Sequence, residues 1–189
     1  MAQPAAPLLL VVVMIASAVV LARAAQATSP VQTPAPKPDV IWMPTDDNVV
    51  VAMLKMAKVT KNDVVYDLGC GDGKIVIAAA RQFGARGVGV DIDPVRVKEA
   101  KAAAIAAGVA DKVTILEGNI FDPAIKIAEA TVVTLFLLES LNEKLRPRLQ
   151  AELKPGTRIV SNAFHMGKSW PAEKTEDVGT TTIYFWTIK

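Results

Sequence analysis

The 189-residue chain predicts an α/β fold: a doubly wound, mainly parallel sheet in a single domain. Three observations carry that expectation. Short apolar runs alternate with helical stretches from residue 64 to residue 162, the pattern of parallel strands covered by helices on both faces. The first run, Val64-Val65-Tyr66-Asp67-Leu68, leads directly into glycines at 69, 71 and 73. The second run ends in an acid, Asp91. Right-handed crossovers set the hand of such a sheet. Ligands bind at the carboxyl ends of its strands where the strand order reverses, and the first strand sits at that point.

Each element follows from local chemistry. Over 46–58, Val49, Val50, Met53, Leu54 and Ala57 form one apolar stripe, which predicts a helix with Thr45 as its N-cap. Residues 64–68 are a buried strand. A helix over 74–83 ends at Gly84. Gly87–Asp91 is the second strand, and Pro94 opens a helix that runs to Ala107 and stops at Gly108. Val113–Glu117 is the third strand. A short helix is expected after Asp122-Pro123, then a fourth strand over Thr131–Leu137. The helix over Ser140–Leu153 is expected to kink at Pro147. Pro155-Gly156 turns the chain into a strand ending at Asn162. Thr180–Ile188, rich in β-branched and aromatic residues, reads as the last strand. There is no internal repeat.

Composition narrows the partners. The formal charge is +2. Residues 1–27 hold one Arg and no acid, so the remainder carries +1, which gives no electrostatic case for nucleic acid. Cys70 is the only cysteine, so no internal disulfide can form and cysteine pairing does not report the compartment. Between two turn glycines, Cys70 reads as a tolerated small residue in preference to a nucleophile.

The N-terminus is apolar from Leu8 to Ala22 apart from Ser17. That run is short for a membrane span and long enough for a signal-peptide core. Ala22-Arg23-Ala24 and Ala25-Gln26-Ala27 resemble small-x-small cleavage sites. No Lys or Arg precedes Leu8, and the first basic residues, Arg23 and Lys37, follow the run, which favours a cytoplasmic downstream side. Residues 1–27 are therefore read either as a membrane anchor with a cytoplasmic domain or as a signal peptide cleaved on export. Residues 28–39 are a proline-rich linker, and the domain spans 40–189.

The glycine spacing is Gly-x-Gly-x-Gly, not the Gly-x-Gly-x-x-Gly of dinucleotide binders. Glycines at 69, 71 and 73 let backbone approach a ligand closely, and the helix that follows presents free N–H groups. Asp67 and Asp72 disfavour a pyrophosphate and favour a cation. With Asp67 in front, this segment resembles the first motif of the class I S-adenosylmethionine methyltransferases, a Rossmann-like class. The resemblance implies S-adenosylmethionine as methyl donor and no metal. It places Gly69, Cys70 and Gly71 against the ligand. Asp91 would accept from the ribose hydroxyls, in preference to Asp93, which precedes Pro94 and can cap a helix. Ile92 would wall the adenine. Asn119 and Ile120 follow the third strand where the family often has an acid for the adenine amino group; Asn119 can accept through its side-chain oxygen or be a plain turn residue. Asp67 and Asp72 would anchor the methionine ammonium, and Asp72 can also cap the helix behind it. Trp42 would cover the sulfonium or pack on the core, and Thr45 would touch the methionine carboxylate.

A narrower resemblance covers nearly all of 40–189. Trp42-Met43-Pro44-Thr45, the Val64–Gly73 segment, Thr134-Leu135-Phe136-Leu137-Leu138 with Ser140-Leu141-Asn142, Arg146-Pro147-Arg148-Leu149, and Leu153-Lys154-Pro155-Gly156-Thr157-Arg158-Ile159-Val160-Ser161 look like a family of small protein-lysine methyltransferases. Its characterised eukaryotic members carry an apolar N-terminal segment and act on membrane proteins. That implies a lysine in a protein substrate as acceptor, with membrane proteins among the candidates. Glu139 departs from the family by standing where a proline is expected, and the segment after the fifth strand is too short for a long helix. Both lie on the substrate side. No catalytic residue is established by motif; Glu139, Asn162 and His165, the one histidine, are the candidates near the acceptor. There is no Ser-His-Asp spacing and no metal signature. The alternatives are a small-molecule methyltransferase of the same fold and a membrane-tethered module that binds S-adenosylmethionine without turnover.

Overall fold

The computed structural model describes residues 43–189; the expectations for Trp42, the linker and the apolar N-terminus lie outside the described residues. In chain order the elements are α1 (Asp47–Met56), β1 (Val64–Leu68), α2 (Lys74–Phe83), β2 (Arg86–Asp91), α3 (Pro94–Ala106), β3 (Val113–Glu117), β4 (Val132–Leu135), α4 (Glu139–Glu152), β5 (Arg158–Asn162), β6 (Lys174–Val178) and β7 (Thr181–Thr187). One seven-stranded sheet has the order β3-β2-β1-β4-β5-β7-β6. The first five strands are parallel, and β7 runs antiparallel to both of its neighbours. The order reverses between β1 and β4, so the crevice at the carboxyl ends opens beside β1.

The side-chain period of two divides β1 between two cores. Val64, Tyr66 and Leu68 join Leu145, Leu149 and Leu153 of α4 and its C-cap, together with Trp186. Val65 joins Val49, Val50, Met53 and Leu54 of α1 and Ile75 and Ala79 of α2. A third cluster packs Val97, Ala100 and Ala104 of α3 against α2 and β3. At the amino ends of the strands, Asp63 accepts from Thr131 Oγ1 (2.7 Å), Thr60 and the Arg158 guanidinium. Burial opposes the charge, but those bonds outweigh it and hold its carboxyl below the ordinary value.

Four sequence expectations change. The N-cap of α1 is Asp46, without a side-chain cap bond; Thr45 is buried instead, and its carbonyl accepts from Lys74 Nζ at 2.9 Å. No helix follows Asp122-Pro123. The Asp122 carboxylate takes the Ala124 N–H (2.8 Å), while the Arg148 guanidinium takes the carbonyls of Ile120 and Ile125, so the backbone is satisfied without a helical ladder. Strand β6, Lys-Thr-Glu-Asp-Val, has no counterpart in the sequence expectations. It is an exposed edge strand, and its partner β7 supplies the pairing that its composition does not advertise. Strand β4 ends at Leu135, two residues early, which frees Phe136 and Leu137 from the ladder.

Candidate active site

The chain leaves β1 through a turn that only glycine fits at two points. Gly69 has φ 88°, and a Cβ there would lie 3.0 Å from Leu137 Cδ2; Gly73 has φ 76°, and a Cβ there would lie 3.0 Å from the Ala100 Cβ. The turn is braced from β2. The Asp91 carboxylate accepts the Gly71 N–H through Oδ2 (2.7 Å) and the Asp93 N–H through Oδ1 (2.9 Å). Asp93 in turn accepts the Val95 N–H (2.8 Å) and caps α3. Asp72 accepts the Lys74 N–H (3.1 Å) in the first turn of α2. Lys74 reaches back to Asp47 Oδ1 (3.1 Å) and the Thr45 carbonyl, which ties the start of α1 to the turn.

A cleft of about 260 Å³ opens over these groups. Of the residues expected to hold ligand, Thr45, Asp67, Gly69, Cys70, Asp72, Asp91, Ile92, Asn119 and Ile120 line it. Gly71 does not; its N–H serves Asp91. Asn119 both lines the cleft and closes its own turn, its Oδ1 accepting the Phe121 N–H at 2.9 Å. Lys74, Arg96 and Phe121 also line the cleft, and sequence reasoning misses them. Their residue types on helix and loop look like solvated or core positions until the fold brings them together.

Electrostatics set the ligand's sign. Asp67 is 3% exposed and its carboxyl is pushed up to about 7, first by burial and then by the Asp91 and Asp72 charges, against one favourable hydrogen bond from Thr134 Oγ1 (2.8 Å). Three carboxylates thus face one cleft, and burial together with its two acidic neighbours favours the protonated form of the innermost. A cationic ligand relieves that, as the ammonium and sulfonium of S-adenosylmethionine would. Burial, followed by the Asp67 and Asp91 charges, raises the Cys70 thiol far above its ordinary pKa, so it is an inert part of the wall.

The far end of the cleft is different. Phe136, Leu137, Leu138, Leu141 and Phe164 line it, from the loop after β4, from α4 and from the loop after β5. None is titratable, and none stands out from sequence as a site residue. The three catalytic candidates do not line the cleft. Asn162 is buried at 3% exposure, its Oδ1 accepting from Thr181 Oγ1 at 2.8 Å; it holds β5 to β7. His165 and Glu139 pair beside the rim, with Nε2 to Oε2 at 3.4 Å, and His165 Nδ1 accepts the Gly167 N–H at 3.1 Å. Among the described residues no group of His, Cys, Asp or Glu is placed to hold a metal.

A doubly wound sheet of this order, with a glycine turn ringed by carboxylates at its switch point, defines a class I S-adenosylmethionine-dependent methyltransferase. The ANTKMT methyltransferase domain model matches residues 67–174, more than half of the chain, and the chain belongs to that family. The chain is 47% identical over 156 residues to a protein-lysine N-methyltransferase of Saccharolobus islandicus, covering 80% of this chain and 95% of that one. It is 32% identical over 125 residues to the mouse adenine nucleotide translocase lysine N-methyltransferase, where it spans 66% of its own length and about half (53%) of the relative's. A solved structure described as an RNA methyltransferase from Salinibacter ruber in complex with S-adenosyl-L-homocysteine superposes with a TM-score of 0.75. The two are 53% identical over 77% of this chain and 94% of that one. S-adenosylmethionine is the methyl donor.

Proposed function

We propose that this methyltransferase acts on a lysine amine of a protein. The observation that carries the proposal is the 47% identity, over 95% of its length, to a protein of that activity. The site agrees with it in chemistry. S-adenosylmethionine supplies an electrophilic methyl group, which the amine lone pair takes while the carbon–sulfur pair leaves on sulfur as a neutral thioether. What remains for the protein is binding and placement. Asp91 offers its carboxylate to the ribose while bracing the turn. Asp67 and Asp72 offer charge to the ammonium. At the other end, Phe136, Leu141 and Phe164 present apolar surface to an incoming chain. A lysine entering there sheds hydration, which lowers its pKa from the ordinary value of about 10.4 and frees the lone pair. Among the described residues no side-chain base lines that end, so the proton passes to water as the amine's hydration is stripped.

We infer further that residues 1–27 hold the enzyme at a membrane with its domain on the cytoplasmic side. The support is the run Leu8–Ala22, the basic residues only after it, and the location of the donor in the cytoplasm. Cleavage of the same segment on export is the competing outcome.

The experiment incubates the full chain with methyl-labelled S-adenosylmethionine and a cell extract separated into soluble protein, membranes, RNA and small molecules. Label released as methyl-lysine on acid hydrolysis of protein supports the proposal. Ribonuclease-sensitive label, the outcome that the Salinibacter relative specifically motivates, overturns it in favour of RNA. Label in metabolites, or binding with no label anywhere, overturns it in favour of a small-molecule enzyme or a non-catalytic module. A reporter fused after Lys189 tests the location. Alkaline phosphatase activity with an N-terminus near Ala25 or Thr28 refutes the anchor.

A further inference from the structure

Strand β5 ends in a turn of unusual geometry. Ala163 has φ 63°, and the Phe164 N–H donates to the Asn162 carbonyl at 2.8 Å. A bond across two residues with positive φ at the centre marks the rarer, strained hand of the γ-turn. A non-glycine residue stays there only when its surroundings enforce it.

The enforcement comes from both sides. From β7, the Thr182 carbonyl accepts the Ala163 N–H (2.9 Å) and the Thr181 hydroxyl donates to Asn162 Oδ1 (2.8 Å). From α4, Asn142, fully buried, directs Nδ2 at the carbonyls of Phe164 (3.2 Å) and His165 (3.4 Å) and at Ser161 Oγ (3.2 Å). One helical turn on, Arg146 donates to the Met166 carbonyl (3.0 Å). The two carbonyls fix which way the Asn142 amide faces, since its oxygen would repel them. Among the described residues its buried Oδ1 has no partner, a cost native structures rarely accept without a return elsewhere.

The return is the placement of Phe164. Its ring stacks on Phe136 with centroids 6.3 Å apart and planes at 28°, and both line the cleft on the β4–β5 side, opposite the β2–β3 side where Asp91 and Asn119 lie. We propose that this locked turn sets the acceptor end of the cleft: Phe164, with Phe136, contacts the incoming acceptor, and Asn142 is a positioning residue that acts through Phe164. The proposal builds on the amine-acceptor reading in one respect. Flat apolar rings suit a lysine's aliphatic stem, and their faces attract its ammonium on approach.

The test assays the full chain with methyl-labelled S-adenosylmethionine and the acceptor fraction isolated in the extract experiment. S-adenosylhomocysteine affinity is measured separately by calorimetry. Phe164→Leu is expected to raise the acceptor KM at least fivefold while the S-adenosylhomocysteine Kd stays within twofold. Asn142→Leu should give the same split to a smaller degree and add nothing in the Phe164→Leu background, the signature of two residues acting as one unit. Equal losses in acceptor KM and S-adenosylhomocysteine affinity, or additive effects in the double variant, would overturn the proposal. Failure of the lysine reading is a separate result: label appears on another acceptor class, and the same split is then measured with that acceptor.

Discussion

Asp91 joins the fold to the ligand, so replacing it should cost both. In Asp91→Ala the Gly71 and Asp93 N–H groups lose a carboxylate at 2.7 and 2.9 Å. Hydrogen bonds to a charged group contribute about 1.5–3 kcal/mol each. Asp91 is only half-buried, so water replaces part of this, and the expected loss of stability is about 1.5–3 kcal/mol in all. The ribose hydroxyls lose an ionised acceptor as well, a further ~1.5–3 kcal/mol of affinity, or roughly 10- to 150-fold in Kd at about 1.4 kcal/mol per decade. Asp93→Ala is the control. It removes the cap bond to Val95 N–H (2.8 Å), worth about 0.5–2 kcal/mol, so it should lower Tm while changing affinity less than about threefold, under ~0.7 kcal/mol. Thermal unfolding without ligand and calorimetry with S-adenosylhomocysteine measure the two quantities independently. If Asp93→Ala weakens ligand binding more than Asp91→Ala, the ribose contact belongs to Asp93 and the reasoning fails.

Other consequences are open to direct measurement. The Asp67 carboxyl sits at about 7 against an ordinary value of 3.8, so between those values the folded state binds more protons than the unfolded chain. This group's stabilising contribution is therefore full below about pH 4 and is lost as pH rises through about 7; the gap between the two values caps the effect at ~4 kcal/mol. Urea unfolding of the ligand-free protein from pH 4 to 8 should show the decline, and Asp67→Asn should flatten it; an unchanged slope in the variant counts against the buried-acid account. Cationic ligand favours the ionised form, so S-adenosylmethionine affinity should rise over the same interval. Arg148→Ala strips partners from the Ile120 and Ile125 carbonyls, at about 1–3 kcal/mol for each group left buried and unpaired. Tm and S-adenosylhomocysteine affinity should both fall, because Asn119 and Ile120 ride on that loop; a fall in Tm alone would separate the loop from the ligand. Cys70 should resist iodoacetamide at pH 8 in the native state and react on unfolding, and rapid native labelling would contradict its buried, neutral thiol.

The chemistry of the donor end was legible because it is local. Strand β1, the glycine turn, the acid closing β2 and the Pro94 helix start are each specified by neighbours in sequence, and each lies where the pattern put it. Gly73 and Gly84 take the left-handed conformations that bound α2, as any side chain there would be strained. The topology followed from strand–helix alternation and the handedness of crossovers. What the sequence left undecided depends on groups far apart in the chain. The expected helix after Pro123 is absent because Arg148, more than twenty residues on, satisfies the loop's carbonyls. Strand β6 exists because β7 offers it a ladder. Asn162, a catalytic candidate by position, is buried because Thr181 claims its side chain. The acceptor end shows the limit most clearly. Phe136, Leu141 and Phe164 have the composition of a core, and only the early end of β4 and the γ-turn at Ala163, locked by Asn142, turn them toward the cleft. Local conformational preference and hydrophobic period are written residue by residue; which apolar side chains wall a site rather than fill an interior is decided by contacts that only the folded chain makes.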